Sequence, residues 1–160
     1  MSMMSSSCSQ NDRVIKGKII AVCTSRKKGT PKSVVDSGFL EEGFGLKGDA
    51  HGGDWHRQVS LLSWEQIETM KAKGLEVSSG SFAENFTTRD FDLGSVRVGD
   101  RLLIGESIVL EITQIGKECH TRCAIYHKVG ECIMPEQGVF AKVIRGGHVE
   151  AGDPIDLMRD

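Results

Sequence analysis

The sequence predicts a mainly β fold with a minor helical part (α+β), built as a closed or nearly closed β-barrel with a few peripheral helices. Short apolar runs with period two recur along the chain, and only one stretch carries the ends of a helix. The same Gly-Asp turn appears twice, in "VRVGD" (96–100) and "VEAGD" (149–153), each read as leading from one strand into the next. Many short strands beside one strong helix suit a barrel, where closure removes the exposed sheet edges.

Taken in order, "VIKGKIIAVCTS" (14–25) is rich in β-branched residues and stops at the turn "RKKGTP", so it reads as a strand. "RQVSLLS" (57–63) is a second short apolar run. It leads into a helix whose start is marked by a Ser63–Gln66 capping box, whose apolar residues Trp64, Ile67 and Met70 recur at spacing three, and whose stop is Gly74. "SGSFAENFTTRD" (79–90) contains a further short strand. "VRVGDRLLIG" followed by "SIVLEITQI" reads as a hairpin turning at Gly105 and Glu106, with Ile108, Leu110 and Ile112 on one face. In the last stretch Val139, Ala141 and Val143 share a face, and Gly146-Gly147 reads as the two-residue turn of another hairpin.

A chain of 160 residues is long enough for one domain with a full core. The expected organisation is a disordered Ser-rich tail at 1–12 and a single domain at 13–160. Hydrophobic residues at 39% and charged residues at 26% place it among globular proteins. Twenty Lys and Arg against twenty-two Asp and Glu leave a net charge of −2, which gives no global basic field for nucleic acid or anionic lipid. No apolar run is long enough to span a bilayer, and "MSMMSSSCSQND" does not read as a secretory signal. Neither a nucleic acid nor a membrane is therefore expected as a partner. Five cysteines without an export signal point to reduced thiols in a cytoplasm. Cys8, in the tail, and Cys23, after an apolar run, are read as incidental or buried.

Two polar stretches carry chemistry. "GFGLKGDAHGGDWHRQ" is dense in glycine, with Gly48, Gly52 and Gly53 beside Asp49, His51, His56 and Arg57. Glycines admit a ligand close to the backbone, and an arginine beside them binds an anion through two N–H groups. The Gly-Lys-Ser/Thr ending of a phosphate-binding Walker loop is missing. The second stretch, "GKECHTRCAIYHKVGECIMP" (116–135), holds Cys119, Cys123 and Cys132 with His120 and His127. Lys117, His120 and Arg122 surround Cys119 and Cys123 with positive charge, which favours thiolate, and a thiolate accepts a sulfur atom or ligates a soft metal. Cys119, Cys123, His127 and Cys132 together also form a ligand set for zinc. A core position beside Ile133 and Met134 is the third reading for Cys132.

The successive segments "GLKGDAHGGDWHRQVSLLS", "FAENFTT", "VGDRLLIG", "IGKECHTRC" and "ECIMPEQGVFAKVIRGGHVEAGD" resemble the motifs of the MOSC family, the domain at the C-terminus of molybdenum cofactor sulfurases. The resemblance runs from about Val14 to Leu157 and is to the small stand-alone bacterial type, without the cysteine desulfurase domain. It implies a barrel similar to the barrel domain of pyruvate kinase. It further implies a pocket that binds molybdenum cofactor (molybdopterin), or a cysteine that carries sulfur as a persulfide for metal-sulfur cofactor maturation. Two enzymatic roles follow, sulfur transferase and molybdenum-dependent oxidoreductase. The alternative from another class is a non-catalytic, zinc-knuckle-like structural or interaction module.

By the same resemblance, "TRC" matches the family's "SR"-Cys, so Cys123 is the thiolate that receives sulfur or ligates molybdenum, with Thr121 and Arg122 before it. Cys119 is the alternate, and Arg122, His120 and Lys117 keep the thiol ionised. Gly48, Asp49, His51, Gly52, Gly53, Arg57, Asn85, Thr87 and Thr121 are the cofactor-binding candidates. "AEN" stands where the amidoxime-reducing members have "RPN", so Asn85 carries over and the arginine does not, leaving Arg57 or Arg89 for the phosphate. The implied partner is a pyridoxal-phosphate-dependent cysteine desulfurase or a molybdoenzyme-maturation protein.

Overall fold

Strand β1 (Lys16–Thr24) is the seam of the molecule, pairing antiparallel with β11 (Pro154–Met158) at one end and with β6 (Phe86–Arg89) along its length. The structure is a computed structural model and describes residues 16–27, 31–116 and 138–158. From β11 the sheet continues through β7 (Arg101–Ile104), β8 (Ile108–Ile115), β9 (Val139–Arg145) and β5 (Val59–Ser63) to β6. That order returns to β1 and closes a seven-stranded barrel, where the sequence predicts a closed or nearly closed one. β2 (Ser33–Val35) adds to β1 on the outside, and β3 (Ser37–Glu41), β4 (Gly45–Leu46) and β10 (Gly147–Glu150) make a second, three-stranded sheet. Register shifts in β1 and β8 bend those strands, which helps a small barrel to close.

Every barrel pair is antiparallel except β5 and β6. A parallel pair needs a crossover, and helix α1 (Trp64–Ala72) lies in the intervening chain. This explains why "VSLLS" is buried at all five positions instead of alternating. Leu61 joins the barrel interior with Ile19, Phe86, Leu102 and Leu110, while Leu62 faces outward into a second cluster with Ile67, Met70 and Phe140. The helix begins where the capping box places it: Ser63 Oγ accepts from the Gln66 backbone N–H at 3.2 Å. Ser63→Ala should cost about 1 kcal/mol in urea unfolding, the usual worth of such a cap. Among the described residues the remaining helix is a single 3-10 turn at Leu93–Ser95.

The β7–β8 hairpin forms as read, with Ile104 opposite Ile108. The repeated Gly-Asp turn also holds: Gly99 and Gly152 take φ of 96° and 99°, and Asp100 and Asp153 accept from Arg97 N and Glu150 N at 2.8 Å and 2.9 Å. The first of these turns follows the 3-10 turn, however, and not a strand. The final hairpin must be corrected more deeply. β9 and β10 do not pair; β9 pairs with β5 and β8, and β10 with β3. Gly146 is the crossing from barrel to second sheet, because a Cβ there would stand 2.0 Å from the Leu40 carbonyl oxygen. The Gly-Gly pair serves close passage of two backbones, not a tight reversal.

Candidate functional site

The Gly-rich loop between β4 and β5 and the segment just before β6 meet at one cleft, whose walls include His51, Arg57, Ala83, Asn85 and Phe140. It encloses about 20 Å³, room for one small group.

Arg57 is held by rings. Its guanidinium carbon lies 4.8 Å from the centre of the Trp55 ring and 5.5 Å from that of Phe140, a cation–π arrangement. Its buried Nε has no hydrogen-bond partner among the described residues. A buried donor without an acceptor is costly, and an anion or carbonyl at the cleft would satisfy it. Trp55 is itself fixed by an indole N–H donated to the His51 carbonyl at 2.7 Å.

Beneath His51 lies a buried ion pair. Lys32 Nζ and Asp49 Oδ1 are 2.8 Å apart with both side chains fully buried. Asp49 also accepts from the backbone of Ser25 at 3.0 Å and of His51 at 3.1 Å. Burial pushes the Asp49 carboxyl up, but contacts with His51, Lys32 and Ser25 overcome it and hold the group far below the ordinary carboxylate range. The His51 ring is 3.8 Å from Oδ2, too long for a hydrogen bond, so its backbone N–H is the contact that counts.

Asn85 sits at the cleft but spends its carboxamide on neighbouring strands: Oδ1 accepts from Ser60 N at 3.0 Å and Nδ2 donates to the Cys23 carbonyl at 3.1 Å. One amide hydrogen remains. Thr87 is not brought to the cleft, since it is buried and donates to Glu84 Oε2 at 3.0 Å. Gly52 leaves room for the Phe44 ring, Gly53 donates its N–H to the Phe44 carbonyl at 2.8 Å, and Gly48 lies in open space. Cys23 is buried, and burial, assisted by the Glu84 charge, pushes its thiol up to about 12. It is inert as a nucleophile at neutral pH, in keeping with its reading as a buried cysteine.

Cys119, His120, Thr121, Arg122 and Cys123, together with Lys117, His127 and Cys132, lie outside the described residues. The residues that bracket them are described. Gly116 N–H donates to the Gly138 carbonyl at 2.7 Å, Gln114 Oε1 is 2.8 Å from His56 Nε2, and Thr113 Oγ1 donates to the His56 carbonyl. The points where the cysteine segment leaves and rejoins the barrel are thus tied to the loop that carries His51 and Arg57. Among the described residues no three His, Cys, Asp or Glu side chains group as metal ligands. None of the described helices is long and apolar enough to cross a membrane.

Residues 47–156 match the MOSC domain, a span that begins in the Gly-rich loop and ends in β11. The chain belongs to the MOSC family. This match is narrower than the likeness from Val14 to Leu157 and leaves β1 to β4 before it. Solved structures share the fold over most of the chain. YuaD from Bacillus subtilis superposes with a TM-score of 0.74 at 18% identity, covering 91% of this chain and 97% of its own. YiiM from Escherichia coli gives 0.64 at 21% identity over 91% of this chain and 71% of that one. YiiM from Geobacillus stearothermophilus gives 0.64 at 16% identity over 89% and 75%. At these identities the likeness is one of fold. No curated protein matches the chain in sequence.

Sequence reading missed Ala83 in the cleft wall and Lys32 beneath His51. Lys32 is 17 residues from its partner Asp49, with no spacing rule to connect them. Ala83 takes φ 66°, a left-handed conformation that alanine rarely adopts and that nothing in "FAEN" signals.

Proposed function

We propose that this MOSC protein binds the anionic end of a molybdopterin-type cofactor at the Arg57 cleft and uses a thiolate of the 117–137 segment, Cys123 with Cys119 as alternate, to carry sulfur or ligate the metal. The observation that carries the reading is Arg57: a cation in contact with the Trp55 and Phe140 rings, with a buried Nε that lacks an acceptor among the described residues. A phosphate fits that donor set. His51 and the free amide hydrogen of Asn85 stand beside it. Cys23 is withdrawn from the chemistry by burial, which leaves the thiols near Lys117, His120 and Arg122.

When bound, the cofactor supplies the redox centre or is itself the acceptor of sulfur. For relay, the Cys123 thiolate attacks the outer sulfur of a donor persulfide. A new S–S bond forms at Cys123, the donor's S–S bond breaks, and the donor leaves as a thiolate, so no external oxidant is needed. A pyridoxal-phosphate-dependent cysteine desulfurase is the chemical class of donor, and a molybdoenzyme-maturation protein the class of recipient.

Native mass spectrometry on anaerobically purified protein tests this, comparing wild type with Cys123→Ser and Cys119→Ser. The expected result is an added mass of one sulfur or of a molybdopterin that disappears in Cys123→Ser. Bound zinc lost in both variants would sink the sulfur reading and make the cluster structural.

A further inference from the structure

Lys32 Nζ lies 2.8 Å from Asp49 Oδ1, 2.9 Å from His51 Nδ1 and 3.2 Å from Ser25 Oγ. An ammonium has three hydrogens and no lone pair, so these neighbours account for all its donors, provided each one accepts. Asp49 does so as a carboxylate. The Ser25 hydroxyl sends its own hydrogen to the Lys27 carbonyl at 3.0 Å, which leaves a lone pair for Lys32. His51 Nδ1 must then be bare. A neutral ring with a bare Nδ1 carries its single hydrogen on Nε2.

The alternatives are disfavoured by charge. A neutral lysine would leave the fully buried Asp49 carboxylate without its counter-charge. An imidazolium would set an N–H at Nδ1 against an ammonium 2.9 Å away.

We propose that Lys32 is a positioning residue which, with Asp49 behind it, holds His51 as the Nε2–H tautomer, so that the ring offers the cleft a hydrogen-bond donor beside Arg57. This rests on the reading of the cleft as an anion site and adds what that site selects. Two donors side by side favour ligand groups rich in oxygen lone pairs, such as phosphate, over groups that bring their own N–H or O–H. His51 is accordingly no general base at Nε2, because that nitrogen already holds its proton.

Protein labelled with nitrogen-15 at histidine tests this through long-range proton–nitrogen correlation spectra at neutral pH, with the His51 signals identified by their loss in His51→Gln. The expected spectrum shows a protonated Nε2 and a bare Nδ1, and added inorganic phosphate shifts the Nε2 signal. Lys32→Met should let both tautomers appear and weaken phosphate binding by roughly tenfold, the worth of one hydrogen bond to a charged group. Because that variant strands Asp49, Lys32→Met combined with Asp49→Asn makes the same comparison without a lone buried charge. An Nδ1–H or an imidazolium in the wild type would overturn the role of Lys32. Phosphate that leaves an Nε2–H ring unmoved would overturn the anion site instead.

Discussion

Asp49→Ala is expected to destabilise the protein by about 3–5 kcal/mol, because it leaves the Lys32 ammonium buried with no counter-charge. Both side chains of the pair are fully buried, so water cannot replace the lost carboxylate without opening the loop. Urea unfolding reads the loss directly. In a domain of this size it corresponds to a fall in Tm on the order of 10 °C. Lys32→Met together with Asp49→Ala removes both charges and should recover most of the stability, since apolar side chains often replace a buried pair at little cost. A double variant as unstable as Asp49→Ala alone would show that packing, not charge, sets the effect. The pair also gives a pH dependence. Asp49 is held well below its unfolded value, so its contribution is complete above the ordinary carboxylate range, about 3.9, and is lost as pH falls towards the folded value. Acid unfolding of Asp49→Asn should therefore lack part of the wild-type pH sensitivity.

Gly146→Ala should cost about 3 kcal/mol or more, for a reason of a different kind. The added Cβ would stand 2.0 Å from the Leu40 carbonyl oxygen and 2.9 Å from its carbon, both backbone atoms that no rotamer change can move. The chain there passes from β9 in the barrel to β10 in the second sheet, so relief requires the sheets to part. Gly43→Ala, in open space though at a φ of 72°, is the comparison: its strain should cost about 1 kcal/mol without disturbing the sheets. Equal losses at the two positions in thermal unfolding would refute the clash.

Where residues close in the chain decide an element, the reading held. Ser63 to Gln66 set the helix start, Gly105 and Glu106 turned β7 into β8, and Asp100 and Asp153 closed matching turns. The Gly146-Gly147 turn failed because two glycines look the same whether they reverse a chain or let one backbone cross another. Deciding between them requires knowing that Leu40 is the neighbour. "VSLLS" hid its parallel partner in the same way, since a strand covered on both faces loses the alternation that marks a sheet surface.

By itself, then, the residue order determined the β-rich barrel class, the capped helix α1 and the family, because capping, period and motif order are local in the chain. It also picked out Arg57, His51 and Asn85 by type and resemblance. The tertiary structure decided what those residues do. It set Arg57 against the Trp55 and Phe140 rings, turned Thr87 inward to Glu84, and set Lys32 beneath His51. Arg57 with Phe140 and Lys32 with His51 join distant parts of the chain, Arg57 with Trp55 and Thr87 with Glu84 near ones, and the energies of all four depend on burial, which no local pattern of residues encodes.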